Sequence, residues 1–483
     1  MLLTLEKMSR RTHRTNPHPR TSGLSGQSVA VVGAGKSGVA AARLLVVLGA
    51  NVSLVDHKPE TEWATRWSDV HEWGVHPFGG ERFEQGLEAV DLVIVSPGVS
   101  PALAAFDAVR QRGVPIVGEV ELASWFFSVP VIGVTGTNGK STVVSLLGKL
   151  LQECGSTPFV GGNLGIPLTE AALAVHQHEC MGPEEPAPFH EIVAELSSFQ
   201  LETIDGFHPH VAVLLNITPD HLDRHPSFDD YARAKANIFR NQTAGDFAVL
   251  NADEAPVRHV RDSLQGQLIE FSVFKEVPNG VWVAGETIVS RWNGQQDELM
   301  PVRDIPLPGN HNVSNVLAAL AVGMVRGCSR DSMRRAVRSF QGLPHVCEVV
   351  RERRGVTFIN DSKGTNVDAT LKAIASLRQP FVIILGGKEK GASEFGRLKD
   401  ALESGVKHCI VLGESADTIA RAIEGAGAIS RVSSLAEGVT LAADLATPGD
   451  AVLFSPACAS FDMFRDYRDR GQQFRDLVNV LTD

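Results

Sequence analysis

Several things are scarce in this chain of 483 residues, and each shortage removes a class of function. No apolar run approaches the ~18 residues of a membrane-spanning helix, so no such helix is expected. Cysteines stand at 154, 180, 328, 347, 409 and 458 only, six in all, with no Cys-x-x-Cys pair. That scatter suits free thiols in a reducing cytoplasm better than a disulfide or zinc framework. A formal net charge of −11 argues against general affinity for nucleic acid, local basic pockets apart. Aromatic residues make up 6% and include two tyrosines. What remains is rich in Ala, Val, Leu and Gly, the composition of an α/β enzyme, and its length implies roughly two to four domains.

The start of the chain stands apart. Lys7, Arg10, Arg11, Arg14 and Arg20 face a single acid, Glu6, and Met1–Leu5 is too short for a signal-peptide apolar region. Residues 1–24 are expected to be a disordered basic tail outside the fold. Three blocks of alternating strand and helix patterns follow, the rhythm of parallel sheets. The expected fold class is therefore α/β in three domains: a Rossmann-like domain over 25–117, a central P-loop-type ATPase domain over 118–342, and a Rossmann-like domain over 343–483. Residues 176–190, with three prolines and little periodicity, are expected to be a surface insertion.

The most informative segment is residues 130–142, Pro-Val-Ile-Gly-Val-Thr-Gly-Thr-Asn-Gly-Lys-Ser-Thr. An apolar strand runs into a glycine turn, a lysine and two hydroxyls, and a helix is expected from Ser141 to Glu153. Such a turn lets the backbone N–H groups of Gly136, Thr137, Asn138 and Gly139 wrap a polyphosphate. Lys140 adds a point charge, and Ser141 or Thr142 can ligate the magnesium that accompanies ATP. The spacing departs from the common P-loop, because Val134 stands where the first glycine usually does.

Other strand ends carry further chemistry. Gly33-Ala-Gly35-Lys36-Ser37-Gly38, followed by Asp56, fits the dinucleotide fingerprint, but any nucleotide diphosphate needs the same turn. Ser96-Pro97-Gly98 ends a later strand of that sheet. Glu195 and His221 each follow an apolar strand in the second block and so reach the same mouth as Lys140. Lys235 lies on the apolar stripe of a helix over 228–239, spaced from Phe228, Tyr231 and Phe239. It is either a snorkelling lysine, a desolvated amine, or a carbamate that would convert a cation into a metal-binding anion. Asn312 and Asn315 share a helix face and could read adenine or cap the helix. In the third block, Asn360 to Asn366 offers Asp361 for a ribose, Lys363 for phosphate and the Thr365 hydroxyl. Gly386 to Gly391 brings Lys388 and Lys390, two cations for an anionic substrate. Ser455 and Ser460 flank the last strand end, where a helix start is expected to complete a carboxylate site.

These residues resemble the Mur ligase family, the ATP-dependent amide-forming enzymes of peptidoglycan precursor synthesis. The resemblance is carried by Gly-Thr-Asn-Gly-Lys-Ser (136–141), Asp-His-Leu-Asp-Arg (220–224), Gly-Asn-His-Asn-Val-Ser-Asn (309–315) and Asn-Asp-Ser-Lys-Gly-Thr-Asn (360–366). Three further segments, at 161–165, 195–201 and 455–462, look like the branch that adds D-glutamate. The resemblance implies UDP-N-acetylmuramoyl-L-alanine and D-glutamate as substrates, ATP and two magnesium ions, a monomer in the cytoplasm, and neither nucleic acid nor membrane as partner. It implies that Lys140, Glu195, His221, Lys235 and Lys363 form the catalytic set, with Lys235 as a carbamate. Metal would be held by Ser141, Glu195, His221 and that carbamate. Asn312, Asn315 and Asp361 would hold adenosine. Asn163 and Thr365 would meet the muramoyl substrate and the reacting groups, and Ser37, His57, Lys58 and Ser96 would line a UDP site. Lys390, Ser460, Phe461 and Tyr467 would bind D-glutamate. One departure stands out: the family reads Leu-Pro-His-Arg where this chain has Leu343-Pro344-His345-Val346. Another Mur-type amino-acid ligase, an NAD-dependent oxidoreductase, a nucleotide-switched binding protein and a folylpolyglutamate synthase are the competing readings.

Overall fold

The computed structural model describes residues 23–63, 69–163, 165–181, 186–221, 224–389, 394–403 and 405–482. The expected basic tail lies outside them, except that Leu24 is buried in the first core at 2% exposure.

The first sheet has five parallel strands: β1 (Ser28–Val32), β2 (Asn51–Asp56), β3 (His76–Gly79), β4 (Leu92–Val95) and β5 (Ile116–Gly118). Their order, β3-β2-β1-β4-β5, reverses direction between β1 and β4. Parallel sheets hold ligands at the carboxyl ends of the strands where the order reverses. That crevice lies between the Gly33 turn after β1 and Ser96 after β4.

The second sheet is built on β6 (Val131–Thr135), β7 (Pro158–Gly162), β8 (Glu191–Glu195), β9 (Val211–Leu214), β10 (Phe247–Asn251) and β11 (Gln267–Ser272), all parallel. Beyond them run β12 (Gly280–Ala284), β13 (Thr287–Trp292) and β14 (Gln295–Pro301), the last two joined antiparallel. Since β6 lies between β8 and β9, the phosphate turn after β6 is flanked by Glu195 and by the loop leading to His221. The third sheet contains β15 (Glu348–Arg353), β16 (Val356–Asn360), β17 (Phe381–Gly386), β18 (Val406–Leu412), β19 (Ala428–Arg431) and β20 (Ala451–Phe454). Here β20 sits between β16 and β17, so Asp361, Ser455 and Gly386 come out at one edge.

One apolar core runs without a break from the first sheet into the second. Leu44 and Leu45 of the Lys36–Val47 helix, Val120 and Leu122 of the Glu119–Ser124 helix, and Leu168 and Ala171 of the Leu168–Met181 helix are all buried in it. The third sheet has separate cores on its two faces. At the junction of the first two sheets, the buried Glu121 carboxylate accepts backbone N–H groups from Asp205, Gly206 and Phe207 and the Trp125 indole N–H. Four donors on one carboxylate fix the loop to the linking helix. Nearby, Glu119 accepts from the Thr169 backbone and hydroxyl, while its Oε2 has no hydrogen-bond partner. Burial pushes this carboxyl up, against those bonds.

Three expectations need correction. Residues 176–181 are not loop: the helix continues to Met181, because the apolar face that starts at Leu168 packs on the linking helix. Strands β12–β14 break the expected strand–helix alternation, since hairpins need no crossover. Finally, Cys154 and Cys328 are disulfide-bonded rather than free, with Cα atoms 5.6 Å apart. Both lie at helix C-terminal ends that pack side by side, a proximity that sequence spacing of 174 residues conceals. Cys180, Cys347, Cys409 and Cys458 are free thiols, and the last two are buried.

Thiol titration of unfolded, unreduced protein is therefore expected to give four thiols, rising to six after reduction. By loop-closure entropy, reduction should cost up to about 5 kcal/mol of stability. Glu119 has a raised folded pKa, so its favourable contribution is complete below the unfolded pKa and is lost as pH rises through the folded one. Glu119→Gln should accordingly unfold about 2–4 °C higher than wild type at pH 8, with the gap closing near pH 4, in a thermal melt series.

Candidate active site

The phosphate turn is shaped by two glycines with positive φ, Gly136 at 153° and Gly139 at 88°, the second forming the N-cap of the Lys140–Glu153 helix. A side chain at Gly139 would collide with Asn315 Oδ1 at 2.3 Å, so the Asn310–Val325 helix presses directly on the turn. Lys140 Nζ donates to the carbonyls of Gly136 and Thr137 at 2.8 and 2.9 Å. Asn138 accepts no role in that bond; its backbone N–H donates to Asn216 Oδ1 at 2.9 Å, which fastens the turn to the end of β9. The helix expected to begin at Ser141 begins one residue earlier.

Around this turn the charged side chains converge. Ser141 Oγ donates to Glu195 Oε2 at 2.6 Å, and Lys363 of the third sheet donates to the same Ser141 oxygen. Glu195 Oε1 accepts from Asn163 Nδ2 at 3.0 Å, so one carboxylate ties the β7 and β8 ends to the phosphate turn. Lys235 is 2% exposed and donates to the Gly136 carbonyl at 2.8 Å, with its ammonium 4.5 Å from the Tyr231 ring centre. Burial and then Lys140 push the Lys235 amine well below its usual range, against Asp220 and Glu195. Burial also pulls Lys363 down to about 8, with Glu195 opposing. Tyr231 and Thr137 hydroxyls meet at 3.1 Å.

The third sheet closes on the second through two further polar contacts. Asn366 Nδ2 donates to Asp220 Oδ2, and Asn138 Nδ2 donates to Asp368 Oδ2. Between them opens a cavity of about 380 Å³ lined by Thr137, Lys140, Asn163, His221, Lys235 and Thr365, and by Ser460, Phe461 and Tyr467 from the last loop. His221 reaches it through a left-handed backbone (φ 56°). Its Nε2 stands 3.6 Å from Asp220. Phe461 is 70% exposed at the rim, whereas Ser460 is buried.

Other candidates lie elsewhere. Thr142, Asn312, Val346 and Cys347 line a smaller pocket on the far side of the turn. Asp361 sits beneath it, accepting from Ser455 Oγ at 2.7 Å and from the Cys347 backbone at 3.1 Å. Burial raises this carboxyl to about 6 against those bonds. Ser455 is thus committed to Asp361 and Thr370, not to a carboxylate site, and the helix expected after it starts only at Tyr467. Lys390 lies outside the described residues. Ser37, His57, Lys58 and Ser96 gather at the first-sheet crevice and do not reach the cavity. Ser96 donates to the Gly33 carbonyl at 3.0 Å, and His57 stacks on Phe83 with centroids 3.9 Å apart. Asp56 accepts the Ala34 backbone N–H through one oxygen, which holds the glycine turn, and the Lys58 backbone N–H of its own loop through the other.

Sequence reasoning overlooked Asp220, Asn366 and Asp368, which bridge the sheets, and Arg470. The Arg470 guanidinium is 1% exposed and donates to the carbonyls of Ser362, Cys458 and Ala459 and to Ser362 Oγ, pinning two active-site loops together. Its position one turn inside a polar helix gave no hint of burial.

Among the described residues, no group of three or more His, Cys, Asp and Glu side chains could hold a metal ion by itself. Magnesium seldom asks for such a cage, since it retains waters and shares one or two carboxylates with phosphate oxygens. Glu195 beside Ser141 fits that smaller requirement.

Three family models match the chain: a Mur ligase MurD-like N-terminal domain over 27–118, a Mur ligase middle domain over 134–323, and a Mur ligase glutamate ligase domain over 347–458. A UDP-N-acetylmuramoylalanine–D-glutamate ligase from Pelotomaculum thermopropionicum is 43% identical over 94% of this chain and 98% of its own. A second protein of that name, from Koribacter versatilis, is 40% identical over 95% and 99%. The structure of a pseudomurein peptide ligase type C from Methanothermus fervidus superposes with a TM-score of 0.59 at 17% identity, covering 94% of this chain and 99% of the other. With all three sheets matched in order along nearly the whole length, the chain belongs to the Mur ligase family.

Proposed function

We propose that this chain joins D-glutamate to the L-alanyl carboxylate of UDP-N-acetylmuramoyl-L-alanine at the expense of ATP, a step of peptidoglycan precursor synthesis. The observation that carries the reading is the Ser141 hydroxyl held between Glu195 and Lys363. A phosphate-turn hydroxyl, a strand-end carboxylate and a lysine of another domain meet at one atom, beside a cavity large enough for two reacting substrates. The Asp56 carboxylate, which the rival redox reading would give to a ribose, accepts from Ala34 of the glycine turn and from Lys58 of its own loop.

The chemistry must bring two anions together. The γ-phosphoryl group of ATP passes to the alanyl carboxylate, and the resulting acyl phosphate is attacked by the D-glutamate amine. A tetrahedral intermediate then expels phosphate. Gly136, Thr137, Asn138 and Gly139 present N–H groups to the triphosphate, and Lys140 exchanges its two carbonyl contacts for phosphate oxygens. Lys363 lies where charge develops between carboxylate and phosphoryl group, and Thr365 lines the same cavity. Thr142, Asn312, Asn315 and Asp361 surround the adenosine end. Val346 leaves that pocket without the family's arginine, and Lys140 and Lys363 supply the positive charge nearby. Ser37, His57, Lys58 and Ser96 receive the UDP portion, Asn163 the muramoyl portion, and Ser460, Phe461, Tyr467 and Lys390 the D-glutamate.

Ser141, Glu195, His221 and a carbamate on Lys235 would hold two magnesium ions between them. Bound magnesium neutralises phosphate charge and so lowers the cost of the anion–anion approach. Lys235 supports this because burial beside Lys140 favours its neutral amine, the form that adds carbon dioxide. A monomer in the cytoplasm, where ATP and UDP-sugars are available, completes the proposal. Among the described residues no helix is long and apolar enough to cross a membrane.

Phosphate release should require UDP-N-acetylmuramoyl-L-alanine, D-glutamate and ATP together; L-glutamate or an acceptor lacking the alanyl group should give none. Turnover with NAD(P) and no phosphate release would reject the reading. Lys140→Ala should lower the rate by roughly 10²–10³-fold with an unchanged melting profile. Chelation of magnesium should abolish turnover, and its return should restore it. With ¹³C-bicarbonate, wild type should show a carbamate carbon signal by NMR that Lys235→Ala lacks.

A further inference from the structure

A buried relay of three polar side chains stands at one wall of the cavity, and the reaction outlined above leaves it without a task. Ser198 is 2% exposed, lines the cavity, and has its Oγ 2.9 Å from His225 Nε2. His225 Nδ1 lies 3.2 Å from Glu202 Oε1. The imidazole is clamped between Phe199, stacked at 5.5 Å, and the edge of Tyr231 at 5.2 Å, so its plane is fixed. Burial raises the Glu202 carboxyl, while Arg224, 3.5 Å from its other oxygen, opposes that shift and favours the carboxylate form. The neighbouring Ser197 is occupied differently. It caps the Ser198–Leu201 helix through a capping box with Gln200.

The direction of these bonds follows from their chemistry. A carboxylate can only accept, so Nδ1 of His225 carries the ring hydrogen. In the neutral imidazole Nε2 is then an acceptor, and the Ser198 hydroxyl must donate to it. With its hydrogen turned away, Ser198 offers the cavity lone pairs alone. A hydroxyl that would otherwise serve as donor or acceptor is thereby restricted to one role.

We infer that Ser198 is a specificity-determining residue that accepts the amide N–H of the L-alanyl group of the acyl substrate, with His225 and Glu202 as positioning residues. The inference rests on the ligase reading proposed above. That N–H is on the carbon adjacent to the reacting carboxylate, so holding it orients the carboxylate toward Lys363. An ester in place of the amide would set its oxygen lone pairs against those of Ser198, and the His225 contact prevents the hydroxyl from turning to compensate. A buried site built for one partner rejects an analogue that lacks it, because its own polar atom is left unpaired.

The test compares UDP-N-acetylmuramoyl-L-alanine with its L-lactyl counterpart, which replaces the amide N–H by an ester oxygen. Wild type is expected to prefer the amide in kcat/KM by roughly ten- to a hundredfold. Ser198→Ala should remove most of that preference by lowering kcat/KM for the amide alone. His225→Gln, whose amide can donate as well as accept, should shrink the preference although Ser198 is intact. A merely structural contribution would lower both substrates equally and leave their ratio unchanged, which would overturn the inference. So would a Ser198→Ala enzyme that keeps the full preference, or a wild type that uses both equally well. If wild type turns over neither substrate with D-glutamate and ATP, the ligase reading itself fails.

Discussion

Buried charge at the meeting of two sheets sets the terms for everything else in this molecule. Lys140, Lys235 and Lys363 converge on the phosphate turn, with Glu195, Asp220 and Asp361 offsetting them. Away from water, ammonium groups are costly unless they are well paired. The protein tolerates them by lowering the affinity of two lysines for their protons and by folding Lys140 back on its own turn. A triphosphate and a carboxylate would complete the balance.

The two domain junctions are built on opposite principles. Between the first and second sheets an apolar core is continuous, and Glu121 adds four donors to the seam. Hydrophobic burial of that kind leaves little freedom for relative movement. The third sheet instead meets the second through polar contacts around the cavity, Lys363 to Ser141, Asn366 to Asp220 and Asn138 to Asp368. Hydrogen bonds of this sort exchange readily with water and contribute about 1 kcal/mol each. The domain that carries the Ser460–Tyr467 loop is thus the one attached by exchangeable contacts, as an enzyme that must admit substrates and then exclude water requires.

Much of this was legible along the chain. Strands that end in Gly136, Glu195 and Asn360 are short apolar runs followed by polar turns, and a parallel sheet puts all such ends on one side. Local patterns could therefore place Lys140, Glu195 and His221 together once the sheet type was clear, whereas Lys363 comes from the third sheet and meets them only through the tertiary structure. The antiparallel strands after Gly280 were not legible, because alternating and continuous apolar runs differ little over five residues. Nor was the burial of Arg470, or the pairing of Cys154 with Cys328. The glycine fingerprint after β1 was legible as an anion turn but silent about the anion, since backbone N–H groups carry no information on what lies beyond the phosphate.

Sequence by itself determined which chemical groups are present and on which strand ends they fall, for local propensity and hydrophobic period depend on neighbours a few residues away. Only the tertiary structure decided how those groups modify one another. Whether Lys235 is snorkelling or desolvated, whether Asp56 faces a ligand or a turn, and which way the Ser198 hydroxyl points all depend on residues tens to hundreds of positions distant. Proton affinity and hydrogen-bond direction are properties of surroundings, and surroundings exist only after the chain has folded.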